Sequence, residues 1–255
     1  MKSKPKVSII TVSYNAVNTI EQTILSVINQ TYPNIEYIII DGGSTDGTVD
    51  IIKKYADKIA YWVSEPDKGI YNAMNKGISL SHGDYLNFMN AGDYFFNTST
   101  ISDIYKKFDN YDYITGIAVY PNGKLWKPIK SSFTFKDVFK GGGVNHQASF
   151  IKKSLLKDGY DCRYTIISDE LLFLKKIVLQ GFSYKSINQN NCYYDNTGIS
   201  NSPEAINKIR EERKMFYQEN IPNRILADYI YLTKEIFPIK VYRKIKHLIR
   251  ITFKI

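Results

Sequence analysis

The run Ile35-Glu36-Tyr37-Ile38-Ile39-Ile40 passes without a break into Asp41-Gly42-Gly43-Ser44-Thr45-Asp46-Gly47-Thr48. A short stretch rich in Ile and Tyr has the length and branching of a buried parallel strand. An acid, two glycines and a Ser/Thr/Asp cluster at its end are what an α/β sheet places at its carboxyl edge, where ligands bind and the next helix is capped. The stretch predicts a strand, a polar loop and a helix, with Asp41 a candidate for a nucleotide site. Asp-Gly-Gly is also an ordinary turn and Ser/Thr/Asp an ordinary N-cap, so the local signal leaves both readings open.

Upstream, Val7-Ser8-Ile9-Ile10-Thr11-Val12 is a second β-branched run, ending at Ser13-Tyr14-Asn15. The helix between the two strands has Ile20, Ile24, Val27 and Ile28 on one face. Asn18 or Thr19 can cap it, with Glu21 or Gln22 completing a capping box. Downstream, Val49, Ile52 and Tyr55 mark a helix, Ile59–Val63 a third strand, Ile70–Leu80 a helix and Tyr85–Met89 a fourth strand running into Asn90-Ala91-Gly92-Asp93. Strand and helix alternate with short connections, which predicts a parallel, doubly wound sheet. Past about residue 105 the alternation loosens. Asn122-Gly123 between Tyr113–Tyr120 and Leu125–Lys127 predicts a hairpin. Gly141-Gly142-Gly143 reads as a break, Ser168–Gln180 as a helix, and Ser202-Pro203 as the cap and first position of another.

A chain of 255 residues can bury a large core, and its net charge of +9 favours anionic partners. Cys162 and Cys192 stand far apart, which argues against a disulfide framework or a zinc ribbon and suits a reducing cytosol. No signal-peptide cleavage site follows the basic start, and no apolar run approaches the roughly 20 residues of a spanning helix. Seven Lys/Arg and one acid lie between Lys234 and Lys254. There Tyr242, Ile245, Ile249 and Phe253 recur at helical spacing, with Lys240, Arg243, Lys244, His247 and Arg250 largely opposite. This cationic amphipathic helix is read as docking on an anionic membrane surface, the alternative being a terminal helix packed on its own domain. No nucleic-acid-binding module accompanies the charge.

Three acids sit where elements end: Asp41, Asp93 and Asp169. Each alone is more often a cap than a catalyst. The sheet brings Asp41 and Asp93 to one edge, where one acid can address a base or ribose and the other a divalent cation on phosphate. A Gly-x-Gly-x-x-Gly after strand one, a Walker loop, a Gly-x-Ser-x-Gly elbow and metal-ligand spacing among His82, His146 and His247 are all absent.

The segments Val7–Asn15, Ile38–Thr48 and Ser64–Gly77, in that order, resemble family 2 glycosyltransferases of the GT-A fold, a Rossmann-like α/β fold with a central, mostly parallel sheet flanked by helices. The resemblance is strongest over residues 5–95, continues through His146-Gln147 and Ser168-Asp169-Glu170 to Gly198-Ile199-Ser200, and then fades. It is closest to the bacterial branch that builds surface polysaccharide. It implies transfer of a sugar from a nucleotide-sugar donor, UDP-linked by expectation, to a glycan or lipid-linked oligosaccharide with inversion at the anomeric carbon. It divides the chain into a nucleotide half (1–105), an acceptor half (106–200) and a C-terminal helical extension (201–255), on a protein peripheral to the inner face of the plasma membrane.

By matching position, Ser13, Tyr14, Asn15 and Asp41 are assigned to base and ribose, with Tyr14 able to stack on uracil. Lys68 and Asn75 are the polar partners expected in the next nucleotide segment. Asp93 lies in the equivalent of the Asp-x-Asp motif, whose acid holds Mn²⁺ or Mg²⁺ on the diphosphate and improves it as a leaving group. The family commonly reads Asp-x-Asp-Asp there. In Asn90-Ala91-Gly92-Asp93 the usual ribose acid is the amide Asn90 and the usual metal acid is glycine. Either Asp93 takes over the cation or metal dependence is weaker. Asp169 matches the acid of the Glu-Asp motif and is the expected base, with Glu170 in reserve and helix capping as its other role. His146 and Gln147 are candidates for phosphate or acceptor, or for a structural pair. A GT-A-like nucleotidyltransferase and a non-catalytic sugar-nucleotide binder are the competing readings.

Overall fold

The computed structural model describes residues 4–128, 130–131, 145–195, 197–198 and 202–220. Two units are distinguished, residues 1–206 and 207–255. The described part of the second is helical, 207–220.

The first unit is built on β1 (Val7–Ser13), α1 (Ile20–Ile28), β2 (Ile35–Asp41), α2 (Thr48–Lys54), β3 (Tyr61–Ser64), α3 (Ile70–Leu80) and β4 (Tyr85–Phe88). These four strands are parallel in the order β3-β2-β1-β4. Since β2 and β3 lie on one side of β1 and β4 on the other, the chain reverses its winding at β1, and the crevice beyond the β1 and β4 tips is where such sheets bind ligands. Ile9, Ile10, Ile38, Ile39 and Ile40 are all essentially inaccessible. Burial on both faces of the sheet explains why β1 and β2 read as continuous apolar runs. Each such side chain contributes about 1.5–3 kcal/mol of transfer free energy. Helix α3 presses on β1 through Gly77, where a Cβ would lie 2.5 Å from Cγ2 of Ile10.

Beyond β4 come β5 (Tyr94–Phe95), α4 (Thr100–Ile104), β6 (Tyr113–Val119), β7 (Leu125–Trp126), β8 (Ser149–Lys152), α5 (Ser168–Phe173), β9 (Tyr184–Tyr193) and α6 (Pro203–Asn220). The described strands continue as β4-β8-β6-β9-β5, with β7 paired to β6. Here the ladders are mixed: β8 runs antiparallel to β4 and β6, while β9 is parallel to β6 and antiparallel to β5. The Asn-Gly hairpin is present as β6–β7, and Ser202 caps α6 through its Oγ, 3.2 Å from the Ala205 amide.

The sequence expectations need two local corrections. Thr19 precedes α1 but its side chain makes no capping bond; the amides of Thr19 and Ile20 instead donate to the Ala16 carbonyl. The predicted helix 168–180 is α-helical only to Phe173 and continues as a wider π-type turn over Leu174–Leu179. The Gly141–Gly143 break and the amphipathic segment 236–255 lie outside the described residues. Among the described residues, no helix is long and apolar enough to cross a membrane.

Candidate active site

The site begins at the loop after β2. Asp41 is completely buried and accepts five hydrogen bonds. Oδ1 takes the hydroxyls of Ser13 (2.8 Å) and Ser44 (2.6 Å). Oδ2 takes the amides of Gly43 (3.1 Å) and Ser44 (2.8 Å) and the Ser64 hydroxyl (2.7 Å). Burial by itself raises the pKa of this carboxyl, but the donors from Ser44, Ser64 and Ser13 outweigh it and hold the group below the usual carboxylate range. Asp41 and Ser13, read as nucleoside contacts, thus spend their polar atoms on each other and on the loop, leaving the carboxylate no free face for a ribose. Asn15 has the same character. It adopts φ 48°, accepts the Thr45 amide at 3.0 Å and donates its own amide to Ser44 Oγ at 2.7 Å, tying the β1 tip to the β2 loop.

Tyr14, 68 % exposed, Asn15 and Lys68 face outward. Between Tyr14 and the next segment lies Gly42, where a Cβ would fall 2.9 Å from Asp67 Oδ2 and 3.4 Å from the Tyr14 ring. Gly42 therefore forms a bare floor between an aromatic ring and a carboxylate. Asp67 was missed by sequence reasoning; its signal was Asp67-Lys68-Gly69, an Asx turn in which Oδ1 accepts the Gly69 amide at 2.8 Å. Asn75 needs correction. Its Oδ1 accepts the Tyr160 amide (2.7 Å) and its Nδ2 donates to the Tyr160 carbonyl (2.8 Å), so the side chain clamps the 159–162 loop rather than facing a nucleotide.

At the tip of β4, the turn Asn90–Asp93 is held from beneath by buried Thr23. Its Oγ1 accepts the Gly92 amide at 3.1 Å and donates to the Asp93 carbonyl at 2.7 Å. Asp93 is 4 % exposed. Its Oδ1 accepts the Asp195 amide and its Oδ2 the Gln147 side-chain amide, both at 2.8 Å. Burial pushes its pKa up to about 7, against the lowering effect of those two donors and of His146, with the Asp195 charge adding to the rise. Among the described residues, no three His, Cys, Asp or Glu side chains gather around a metal position. The donors present are nevertheless hard oxygens, and each Asp93 oxygen keeps a lone pair after its single hydrogen bond. One carboxylate plus substrate phosphates is how Mg²⁺ is commonly held, so the residues fit a cation shared with a diphosphate.

Asp169 stands at the second position of α5. Its Oδ1 accepts the Tyr71 hydroxyl at 2.6 Å and its Oδ2 lies 2.8 Å from His146 Nδ1. Burial raises its pKa, but His146, the Tyr71 hydroxyl and the Glu170 backbone amide more than offset this, and the group lies below the ordinary value. The side chain is 16 % exposed. His146 Nε2 is 3.1 Å from Asn90 Nδ2. Since an ionised carboxylate only accepts, Nδ1 carries the proton toward Asp169. Tyr71, Asp169, His146 and Asn90 form one chain from α3 to the β4 tip. Tyr71 was not anticipated. The turn carrying His146 and Gln147 is fixed by Asn87, whose Nδ2 donates to the carbonyls of Gln147 and Ser149, both at 2.8 Å. Glu170 is partly exposed beside Asp169.

The Glycosyl transferase family 2 model matches residues 8–169, from β1 through Asp169. The chain belongs to glycosyltransferase family 2. An uncharacterized glycosyltransferase of Mycobacterium tuberculosis is 31 % identical over 226 residues, 84 % of either chain. A Bacillus subtilis glycosyltransferase named for teichuronic acid biosynthesis is 42 % identical over 93 residues, 35 % of this chain and 37 % of its own. Staphylococcus aureus TarS 1–349 in complex with UDP superposes with a TM-score of 0.66 at 20 % identity, over 89 % of this chain and 69 % of TarS. The mannosyltransferase PcManGT of Pyrobaculum calidifontis, in complex with GDP-Man and Mn²⁺, gives 0.67 at 17 % identity, over 91 % and 72 %. The fold of this family 2 glycosyltransferase is thus GT-A.

Proposed function

We propose that this family 2 glycosyltransferase moves a sugar from a nucleoside-diphosphate donor to a hydroxyl of a glycan or lipid-linked oligosaccharide in surface polysaccharide synthesis, with inversion and with Asp169 as base. The observation that carries the reading is the state of Asp169. It is ionised, partly exposed, and oriented at both oxygens by Tyr71 and His146. A donor is supported by the neighbours bound to UDP and to GDP-Man, and surface polysaccharide by the teichuronic acid relative.

The base of the donor stacks on Tyr14 above the Gly42 floor, with Asp67 alongside; a uracil suits this small platform. Lys68 supplies positive charge toward phosphate. Asp41, Ser13 and Asn15 contribute shape by holding the loop rigid, and Asn75 does so by holding the 159–162 loop. Asp93 is the residue that would hold a divalent cation, which neutralises charge on the departing diphosphate. The acceptor oxygen attacks the anomeric carbon in line, its proton passes to a carboxylate oxygen of Asp169, and the bond from that carbon to the diphosphate breaks with its electron pair leaving on phosphate. The proton on His146 Nδ1 keeps Asp169 ionised and aimed until that moment. Segment 236–255, with its cationic amphipathic pattern, is the part we assign to the inner membrane surface.

Asp169→Asn keeps the size of the side chain and removes the base. It is expected to cut transfer by about 10²–10⁴-fold while nucleotide sugars still raise the melting temperature as in wild type, and turnover above about a tenth of wild type overturns the assignment. The nucleotidyltransferase reading lacks the Lys/Arg- and glycine-rich loop after β1 that usually marks it, and the non-catalytic reading falls with family membership.

A further inference from the structure

The sequence has no carboxylate at Gly92, yet the structure puts one there. Strands β5 and β9 pair antiparallel with Tyr94 opposite Tyr193 and Phe95 opposite Cys192, and the Tyr94 and Tyr193 rings stack at 4.8 Å. Two further steps in the same register bring position 195 opposite position 92. There the amide of Asp195 donates to Asp93 Oδ1 at 2.8 Å, fixing the backbone of one acid against the side chain of the other. The Asp195 side chain then turns over Gly92, where a Cβ would meet Oδ2 at 3.0 Å. Gly92 has φ +104°, a conformation that side-chain-bearing residues rarely adopt, so the backbone and the neighbouring acid both reserve this space for glycine.

The chemistry of Asp195 is that of a group awaiting a ligand. Its Oδ1 accepts the Thr197 amide at 2.9 Å, while Oδ2 accepts no hydrogen bond among the described residues. Gln147, itself 4 % exposed, directs its amide at Asp93 through Nε2, and the oxygen of that same amide is buried without a partner. Two carboxylates meet at one turn, and the side chain that bonds one of them carries an orphaned amide oxygen; such oxygen donors suit a hard divalent cation.

We propose that Asp195 is a second carboxylate ligand of the divalent cation held by Asp93, supplied across the β5–β9 ladder in place of the acid missing at Gly92. This rests on Asp93 holding a cation. The ligand set is thereby split between two strand ends 102 residues apart in sequence.

The test is Mn²⁺ affinity, measured on the full chain by electron paramagnetic resonance with UDP and, separately, GDP present, and without nucleotide. Asp195→Asn is expected to weaken Mn²⁺ binding tenfold or more, a loss typical of damage to a metal site, with the melting temperature in EDTA close to wild type. Asp93→Asn is expected to abolish binding. If Asp93→Asn loses Mn²⁺ and Asp195→Asn does not, the proposal is wrong while the Asp93 reading stands. If neither variant changes the affinity, both fail. Asp195→Cys guards against a purely structural loss: a ligand at 195 makes this variant weaker for Mn²⁺ and tighter for thiophilic Cd²⁺ than wild type, whereas a structural residue gives no such exchange.

Discussion

The loop after β2 and the turn after β4 lie at the same edge of one sheet, and they differ in how completely their polar groups are satisfied. At Asp41 each carboxylate oxygen is fully used, by five donors from three neighbouring segments. Asn87 Oδ1, Asn90 Oδ1, Asn145 Nδ2, Gln147 Oε1, Tyr160 Oη and Asn191 Oδ1 are buried with no partner among the described residues, and of these Asn90 lies in the β4 turn and Gln147 bonds its Asp93. Unsatisfied buried polar atoms cost free energy, so a fold keeps them only where something else is served. The contrast suits the proposed division, in which Asp41 shapes the nucleotide loop while Asp93 holds the cation, although both aspartates stand at a strand end.

The largest effect expected from this contrast is on stability. Asp41→Ala strands three hydroxyls and two amides in a part-buried loop, at about 1 kcal/mol or more each where no new partner or water is found, for a total of up to about 3–5 kcal/mol. Urea unfolding of the variant measures it. A loss below about 1 kcal/mol would show that the loop relaxes easily and that the contrast with the β4 turn is superficial.

The two acids also titrate in opposite senses. An unfolded aspartate has a pKa near 3.9. The lowered value of Asp41 contributes stability that is present above that pH and is lost as pH falls through its folded value. The raised value of Asp93, about 7, contributes stability that is complete below pH 3.9 and lost as pH rises through 7. Asp93→Asn carries no charge to desolvate, and its amide can donate to the orphaned Gln147 Oε1 once that side chain flips. In EDTA at pH 8 the variant is expected to be more stable than wild type by about 1–3 kcal/mol, with the gain shrinking toward pH 5. Urea curves at the two pH values decide it, and an equal difference at both would refute a titrating Asp93.

The elements that could be read from the sequence were those decided locally. Helix α3 was predicted to its observed ends, because the apolar spacing from Ile70 and the polar Ser81-His82-Gly83 break are contained in the segment itself. The β6–β7 hairpin was fixed by Asn122-Gly123, and the start of α6 by Ser202-Pro203. The site was legible in its residue types but not in their partners. Asp41 is satisfied by Ser13 and Ser64, 28 and 23 positions away, and Asn75 by Tyr160, 85 positions away. Asp195 gave no signal, because its meaning lies in the β5–β9 register and in an absence at Gly92. The antiparallel insertion of β8 between β4 and β6 is likewise a matter of long-range pairing that periodicity does not encode.

The smallest effect on stability, and the most direct probe of the scaffold, comes from Tyr14. The ring is 68 % exposed at a β1 tip whose backbone is held by Asn15 and the Asp41 loop. Truncating it removes no buried contact, so Tyr14→Ala should leave stability within about 0.5 kcal/mol of wild type. Stacking a base on an aromatic ring contributes about 1–3 kcal/mol, so nucleotide affinity should fall on the order of tenfold, and Tyr14→Phe should restore it because stacking needs the ring and not the hydroxyl. Calorimetric titration with UDP reads both variants. An unchanged affinity in Tyr14→Ala would move the base away from the Gly42 floor. A Phe variant as weak as Ala would instead make the hydroxyl the contact, and the rigid Asp41 loop would then serve to place a hydrogen bond, not a stacking face.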